Sequence, residues 1–438
     1  MRVGPAFAQT FASQVIQSAA SIATGIVIAR GLGPVGQGRY AFFTAVVAFG
    51  VIVASFGQFE GNVLSSAGAS SLGRLLLSRT VAHALLVAGL LLALLPLWRQ
   101  GFQADAATAI PVFFAIVLAL EVEAQLLRGV NLGQHHITAY NVATLLQRFV
   151  YLTAVASFAV TIGLRLERVL AAWAGATFLS VLVSGVWIWV RSAPVALDWR
   201  RLLAGWGAML TRGLRALVTI ALTLLLVRCD IWMLRPLLGV ATVGQMSVAT
   251  GLAEWLWYVP SILGNVLFAA AAADRGPRTV QQITRAARAV VALVVPAAIV
   301  LMLFGRRLVP LVYGAAYQPA GLLFVILLPG MTAVAVHLVV DSYFAGKGFP
   351  RISIWAAAGA LALKVGLNLV AIPAFGAPGA AAVTTGVYTA LLLVKVVAFT
   401  RETGTPIAAV LRPSWRELAG NAAAARAWVA AQLGTRTS

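Results

Sequence analysis

Apolar segments of about 20 residues recur along the entire 438-residue chain, and this is the length that an α-helix needs to cross a bilayer. The segment 80–98, TVAHALLVAGLLLALLPLW, is the clearest of them, with His83 as its single ionisable residue. Hydrophobic residues make up 61% of the chain and charged residues 10%, whereas soluble domains carry about 25% charged residues. Because membrane β-strands would show alternating segments of about ten residues instead, we predict an all-α integral membrane protein.

A window of about 20 residues divides the chain into twelve predicted transmembrane helices. They lie near residues 7–29, 40–59, 80–98, 107–127, 138–160, 169–190, 214–234, 243–271, 289–305, 322–344, 352–372 and 377–399. Cys229 is the single cysteine and the four histidines are scattered, which excludes a disulfide framework and a cysteine-based metal site. We therefore expect no metal and no cofactor.

The net charge of +20 reports the topology of the chain rather than a nucleic-acid partner. The basic residues lie in short loops between apolar spans, whereas a nucleic-acid binder presents a contiguous basic face on a soluble fold. Most loop arginines fall on the side of the N-terminus, with Arg200, Arg201 and Arg212 in the longest internal loop. The positive-inside rule then predicts a multi-pass membrane protein with both termini in the cytoplasm.

Two patterns repeat between the halves of the chain. Spans one and seven are followed by the same arrangement of one arginine and two glycines, Arg30, Gly33 and Gly38 in the first half and Arg235, Gly239 and Gly244 in the second. A second echo links RGVNLGQHHITAY at 128–140 to AGKGFPRISIW at 345–355. Since six helices per repeat is an even number, the halves are parallel repeats about an axis normal to the membrane. We predict two six-helix bundles around a central cavity.

The repeat also sets the predicted domain limits. The N-terminal bundle covers 1–190, a cytoplasmic basic linker 191–213, the C-terminal bundle 214–400, and a cytoplasmic tail 401–438. In the tail, apolar residues are spaced among arginines: Trp415, Leu418, Ala422, Trp428 and Leu433. This pattern indicates either an amphipathic helix on the inner surface or a disordered end.

Three basic residues lie deep inside predicted spans, where a charge normally faces a cavity or a partner. Arg148 lies 11 residues after Ile137, and Lys364 lies 12 residues after Ile352. At about 1.5 Å per residue both are roughly 16–18 Å deep, near the bilayer centre. Arg228 is the third. Each could line the cavity, or an acid could neutralise it: Glu121 or Glu123 for Arg148, and Asp230 or Glu254 for Arg228.

A cavity lined by arginine and lysine suits an anionic substrate, most naturally a phosphate or pyrophosphate, which guanidinium binds through two hydrogen bonds. The candidates for carrying a coupling H⁺ or Na⁺ are the acids Glu121, Glu123, Glu254 and Asp341. Near the cytoplasmic end, His337 and Asp341 are four residues apart and are expected to pair. Lys395 is expected to extend to the cytoplasmic edge of the membrane.

Four stretches resemble the polysaccharide transporters of the multidrug/oligosaccharidyl-lipid/polysaccharide exporter (MOP) superfamily. They are ARGLGPVGQGRYAFFTAVVAFGVIVASFGQFEGNVL (29–64), RCDIWMLRPLLGVATVGQMSVATGLAE (228–254), RRLVPLVYGAAYQPAGLLFVILLPG (306–330) and GLNLVAIPAFGAPGAAAVTTGVY (366–388). The resemblance implies two six-helix bundles that work by alternating access. It also implies a flippase for undecaprenyl-pyrophosphate-linked oligosaccharide repeat units in O-antigen, capsule or exopolysaccharide synthesis.

By position, the resemblance assigns the lipid pyrophosphate to Arg148, Arg228 and Lys364, with Arg30 at the outer rim of the cavity. The expected partners are the lipid-linked oligosaccharide, membrane lipids, and the polymerase and chain-length components of polysaccharide synthesis. The peptidoglycan-precursor flippases of the superfamily carry fourteen helices, and the present chain has twelve predicted ones.

Two other functions remain open from the sequence. A multidrug and toxin extruder of the same superfamily would favour an acidic cavity for cationic drugs, and the arginines and lysines inside the spans argue against it. A membrane-bound polysaccharide polymerase or ligase would need a large external loop, and the predicted outer loops are short. Since the sequence contains no nucleophile–base constellation, Walker A motif or glycosyltransferase acid pair, we predict that the protein is not an enzyme.

Overall fold

The computed structural model describes residues 3–66, 73–93, 109–192, 199–274, 276–348 and 350–417, which are almost entirely helical. The helices are α1 (Val3–Ser55), α2 (Gln58–Ser66), α3 (Gly73–Ala93), α4 (Ala109–Gly133), α5 (Ile137–Thr161), α6 (Leu166–Arg191), α7 (Trp199–Leu238), α8 (Val240–Ala253), α9 (Tyr258–Ala273), α10 (Pro277–Tyr313), α11 (Gln318–Gly346), α12 (Arg351–Thr403) and α13 (Ile407–Leu411). A 3-10 helix, Glu254–Trp257, joins α8 to α9.

Ten helices of the described residues are long and apolar enough to cross a membrane, and two of these contain a break. In α1 the break is at Gly33, with φ 65° and ψ 178°, and in α12 it is at Gly376, with φ 64° and ψ −149°. A proline follows each break, Pro34 and Pro378, and proline is well suited to the start of a helix. Dividing α1 and α12 at these glycines gives the twelve predicted spans, so the predicted all-α membrane fold is confirmed.

The repeated glycines of the sequence share one backbone conformation. Gly33 has φ 65° and ψ 178°, and Gly239, its counterpart in the second half, has φ 82° and ψ 172°. Side chains other than glycine essentially do not populate this region. Each glycine therefore marks the point where one span ends and the next begins in its half of the chain.

The chain divides into two compact units, Met1–Ala221 and Leu222–Ser438. In the first unit α4 packs against α1, α2, α3 and α6, and its residues Val117, Leu118, Val122 and Leu126 lie in the hydrophobic core. In the second unit α11 packs against α8, α9, α10 and α12. The spans that contain α4 and α11 are the two most buried of the ten, as expected for the central helix of a bundle.

The boundary between the units falls inside α7, a helix that includes residues 199–213 of the predicted linker. Residues 193–198 lie outside the described part of the chain. The domain limits proposed from the sequence stay predictions.

The C-terminal segment returns to α10 after α12 ends. Its short helix α13 packs against α10 and α12, and beyond it Glu417 Oε1 lies 3.2 Å from Arg288 Nη1. The backbone N–H of Ser414 also donates to the carbonyl of Arg288. The predicted surface helix lies mostly at 418–433, outside the described residues.

Candidate functional site

The two acids of α4 point to opposite sides of the helix. Glu121 lies among side chains of α5 and α6, whereas Glu123 lies against α3, where Thr80 Oγ1 donates to its Oε1 over 2.9 Å. Two residues apart on a helix are separated by about 200°, so one helix can supply a carboxylate to two different surfaces. Glu123 is buried, and its Oε2 has no hydrogen-bond partner among the described residues.

The first unit contains a polar cluster around Glu121, here called the Glu121 cluster and formed by Glu121, Arg128, Gln147, Trp173 and Thr177. The Oε1 atom of Glu121 accepts hydrogen bonds from Gln147 Nε2 at 2.8 Å, Trp173 Nε1 at 2.7 Å and Thr177 Oγ1 at 2.9 Å. Arg128 Nη2 lies 3.9 Å from Oε2. The carboxylate is therefore held mainly by neutral donors, with its cation at the limit of ion-pair distance.

Arg148 follows Gln147 directly but lies on the exposed side of α5. It is the twelfth residue of this 25-residue helix, so it stands at the middle of the span. The side chain is exposed and has no hydrogen bond or ion pair to the residues that the structure describes. The alternative in which Glu121 or Glu123 neutralises Arg148 is wrong, because their side chains are directed to Arg128 and Thr80.

The second unit contains a buried counterpart, the Asp230 cluster, formed by Leu226, Asp230, Lys364, Asn368 and Thr384. Lys364 Nζ lies 2.6 Å from Asp230 Oδ2, and the two side chains are 0% and 6% exposed. The ammonium also donates to the carbonyl of Leu226 at 2.9 Å. Asn368 Nδ2 donates to Oδ1 of Asp230 at 2.8 Å, and Thr384 Oγ1 donates to Oδ2 at 3.0 Å.

The cluster connects three helical segments because α12 bends at Gly376. Lys364 and Asn368 lie one helical turn apart before the bend, Thr384 lies after it, and Asp230 comes from α7. A buried charge is tolerated when it is paired and its remaining hydrogen-bonding groups are satisfied. No sequence-based prediction placed these residues together, although the spacing of Lys364 and Asn368 (i, i+4 on one face) was a usable signal.

Arg228 pairs with Glu254, one of its two predicted partners. Its Nη1 lies 2.9 Å from Oε1 of Glu254, and its Nη2 donates to Oε2 at 3.3 Å. The arginine side chain is 32% exposed, so this pair is more accessible than the Asp230 cluster. Asp230, the other predicted partner, points away and neutralises Lys364 instead.

Two expectations for the C-terminal helices are wrong. Lys395 does not extend to the membrane edge but is buried, where it forms an ion pair with Asp341 and donates to Ser353 Oγ at 2.8 Å. Asp341 therefore pairs with Lys395 rather than with His337. Outside the span, Lys347 pairs with Glu402, and this hydrogen bond raises the pKa of Lys347.

The remaining predicted residue, Arg30, lies on α1 three residues before the break at Gly33 and is exposed. Within the described ranges, no group of three or more histidine, cysteine, aspartate or glutamate side chains could hold a metal ion. The acids of the second unit, Asp230, Glu254 and Asp341, are thus paired with bases, whereas Arg148 of the first unit is exposed at the middle of α5.

No family model matches the chain, and no curated protein matches it. Several solved structures, however, are similar to it. A multidrug resistance MATE family transporter of the MOP superfamily, in an inward-facing conformation, has a TM-score of 0.68 at 17% identity, over 89% of the present chain and 94% of that chain. The lipid II flippase MurJ in an inward closed conformation has a TM-score of 0.68 at 11% identity, over 92% and 89% of the two chains.

A third similar structure is a MOP superfamily transporter from Pyrococcus furiosus, with a TM-score of 0.59 at 14% identity over 91% of this chain and 95% of that one. That protein is described as having a binding pocket of reverse polarity, which suggests a different function for it. The likeness to these structures establishes that the present chain has the two-lobe, twelve-helix fold of MOP superfamily transporters.

Proposed function

We propose that the protein is a flippase that moves undecaprenyl-pyrophosphate-linked oligosaccharide repeat units across the bacterial inner membrane by alternating access. The glycan serves O-antigen, capsule or exopolysaccharide synthesis, and the polymerase and chain-length components act on it next. Both termini are in the cytoplasm in this proposal. The fold supports a transporter, and the choice of substrate rests on the charge of the residues inside the spans.

The observation that carries the proposal is the exposure of Arg148 at the middle of its span. A cation at the middle of a span is costly unless it meets water or a partner, and Arg148 is exposed with no acid bound to it in the described part of the chain. Its position is reasonable if it faces a water-filled space that an anionic group can enter. A guanidinium there binds pyrophosphate through paired charge-assisted hydrogen bonds.

Arg228 and Lys364 complete the anion site in this proposal, with Arg30 nearer the outer side. Their present partners, Glu254 and Asp230, hold both charges in ion pairs. In this proposal pyrophosphate meets the exposed Arg148 first. Pyrophosphate carries more negative charge than one carboxylate, so it can then compete with Glu254 for Arg228, which is more accessible than Lys364.

The candidates for carrying the coupling ion, H⁺ or Na⁺, are Glu121, Glu123, Glu254 and Asp341, and these acids differ in their contacts. Glu254 and Asp341 are paired with Arg228 and Lys395. Glu121 is bound mainly by neutral donors, and Glu123 has one donor. A carboxylate without a firmly bound cation is the one whose charge must be balanced by an ion, so we favour the two acids of α4.

A multidrug extruder is the second candidate, because transporters of that kind are among the similar structures. It is favoured by the Glu121 cluster, whose carboxylate could meet a cationic drug. The two candidates differ in the sign of the charge that the substrate meets. Arg228 and Lys364 are paired with Glu254 and Asp230, so the preference for an anionic substrate rests on Arg148, which has no acid partner among the described residues.

Deleting the gene and locating the labelled lipid-linked glycan separates these functions. A flippase defect leaves the glycan on the cytoplasmic leaflet, a polymerase or ligase defect leaves it on the outer leaflet, and loss of a drug exporter leaves the glycan unaffected. Wild type and Arg165→Ala, a matched change at an exposed arginine just before α6, should restore export. Arg148→Ala should not restore it at equal protein abundance, and restoration by Arg148→Ala would contradict the proposed site.

A further inference from the structure

The most completely buried charged group of the described chain is not free to meet a ligand. Lys364 is 0% exposed, and its ammonium is bound by the Asp230 carboxylate and by the Leu226 carbonyl. While Asp230 is ionised, the pair is neutral as a whole. An approaching anion therefore gains little from Lys364 until the negative charge of Asp230 is removed.

The surroundings of Asp230 can accommodate the protonated form of this residue. Asn368 and Thr384 donate to its oxygens, and a carboxylic acid still accepts such hydrogen bonds. The new O–H group would have an acceptor in the Leu226 carbonyl once the ammonium has left it. The Oδ1 atom of Asn368 is a second acceptor, since it is buried and has no partner among the described residues.

The other ionisable groups around the pair come from three elements. Cys229 and Arg228 lie beside Asp230 on α7, Tyr388 lies on α12 with its ring 5.2 Å from Lys364 Nζ, and Glu254 comes from the 3-10 helix. Arg228 and Glu254 are already paired with each other. Asp230 is thus the acid whose proton uptake changes the charge available on Lys364.

We propose that Asp230 is a proton-accepting gate for Lys364. The ionised Asp230 neutralises the ammonium of Lys364, and the protonated Asp230 leaves the ammonium able to bind the anionic group of the substrate. A hydronium ion of the solution transfers its proton to a carboxylate oxygen of Asp230 and leaves a water molecule, the ion pair separates, and Lys364 keeps its ammonium charge for a pyrophosphate oxygen. This inference rests on the proposed function, and it adds to it a residue that was not among the candidate coupling acids. It predicts one proton taken up for each anion that reaches Lys364.

The test uses the purified full-length protein and inorganic pyrophosphate as the probe, with binding measured by calorimetry at mildly acidic and mildly alkaline pH. Wild type should bind more tightly at acidic pH, by about 10- to 150-fold, which corresponds to one charge-assisted contact. Asp230→Asn should bind tightly at both pH values. The comparison with this variant cancels the titration of pyrophosphate itself, because both proteins meet the same probe.

Asp230→Asn leaves a lysine buried without its acid and could fail to fold, so a second measurement uses only the wild type and Lys364→Gln. Wild-type binding should take up about one proton, seen as a dependence of the binding enthalpy on the ionisation enthalpy of the buffer. Lys364→Gln should bind without that proton. Equal proton uptake by the two proteins would overturn the inference.

The two proposals fail in different ways. If pyrophosphate binds and Arg148→Ala weakens it, but Asp230→Asn leaves the pH dependence unchanged, the gate is wrong and the flippase proposal stands. If wild type does not bind pyrophosphate at either pH, the anion site itself is wrong and the gate falls with it.

Discussion

The two units place an acid and a base near the middle of their spans in opposite arrangements. In the Glu121 cluster the carboxylate is held by an indole, an amide and a hydroxyl, while Arg148 stands apart and exposed. In the Asp230 cluster the carboxylate and Lys364 neutralise each other out of contact with solvent. Two halves with the same backbone geometry can thus differ in their charges: the first half exposes the charge of Arg148, and the second buries Lys364 in an ion pair.

Neutralising Lys364 should produce the largest effect on stability. Lys364→Met leaves the Asp230 carboxylate buried without its cation, which costs about 3–5 kcal/mol. The double variant Lys364→Met/Asp230→Asn removes the unpaired charge and should recover most of this loss. Thermal unfolding in detergent measures both variants.

The matched change in the first unit sharpens the comparison. Arg148→Met removes no hydrogen bond or ion pair among the described residues, so its unfolding temperature should stay close to that of wild type. An equal loss of stability in Arg148→Met and Lys364→Met would show that the two cations are not held differently.

Pyrophosphate affinity should depend strongly on Arg148, whose replacement hardly affects stability, because Arg148 is the accessible cation. Arg148→Ala should lower the affinity by about 10- to 150-fold. Arg148→Lys keeps the charge but loses the planar pair of donors, so its affinity for pyrophosphate should fall between those of wild type and Arg148→Ala. Titration with inorganic pyrophosphate measures this series. A value for Arg148→Lys equal to that of Arg148→Ala would show that charge alone is not what the site provides.

Alanine at the repeated glycines should destabilise both units to a similar degree. Gly33 and Gly239 have no neighbour within 4 Å of an added Cβ, so the cost is that of the backbone conformation, about 1–3 kcal/mol. Gly175, in the middle of α6 and equally open, is the control, where alanine should be neutral or stabilising by about 0.5–1 kcal/mol. A harmless Gly239→Ala beside a damaging Gly33→Ala would break the equivalence of the two halves.

The smallest effect is expected where the C-terminal segment meets α10. Arg288 and Glu417 form a partly exposed pair 3.2 Å apart, and such pairs contribute about 0–1 kcal/mol. Glu417→Gln should therefore shift unfolding slightly, and less at high salt. A loss as large as that of Lys364→Met would mean that this contact organises the second unit.

Much of the fold could be predicted from the sequence because long apolar runs and glycine positions are local signals. A run such as 80–98 predicts a helix in a bilayer, since no other single segment satisfies its own backbone there, and the described part of this run, to Ala93, is helical. Gly33 and Gly239 mark span boundaries by themselves, because the conformation at these positions excludes other residues. The depth of Arg148 and Lys364 also followed from counting residues along a helix.

Pairing could not be predicted because it depends on which faces of separate helices meet. Asp230 and Lys364 are 134 positions apart in the sequence, and the sequence left both Asp230 and Glu254 as possible partners of Arg228. Arg228 and Asp230 are two residues apart, which indicates that their side chains lie on different faces of the helix. This spacing does not identify the partner of either side chain. Lys395 and Asp341 show the same limit, since a lysine near a span end can extend outward or turn inward.

The sequence by itself determined that this protein is helical, crosses the membrane twelve times and is built from two related halves, because hydrophobic length and glycine conformation act within one segment. Only the tertiary structure decided that Arg148 is exposed while Arg228, Lys364 and Lys395 are held by acids. The energy of a charge inside a membrane protein is set by its distance to an opposite charge and by its access to water. Both quantities come from the packing of distant helices.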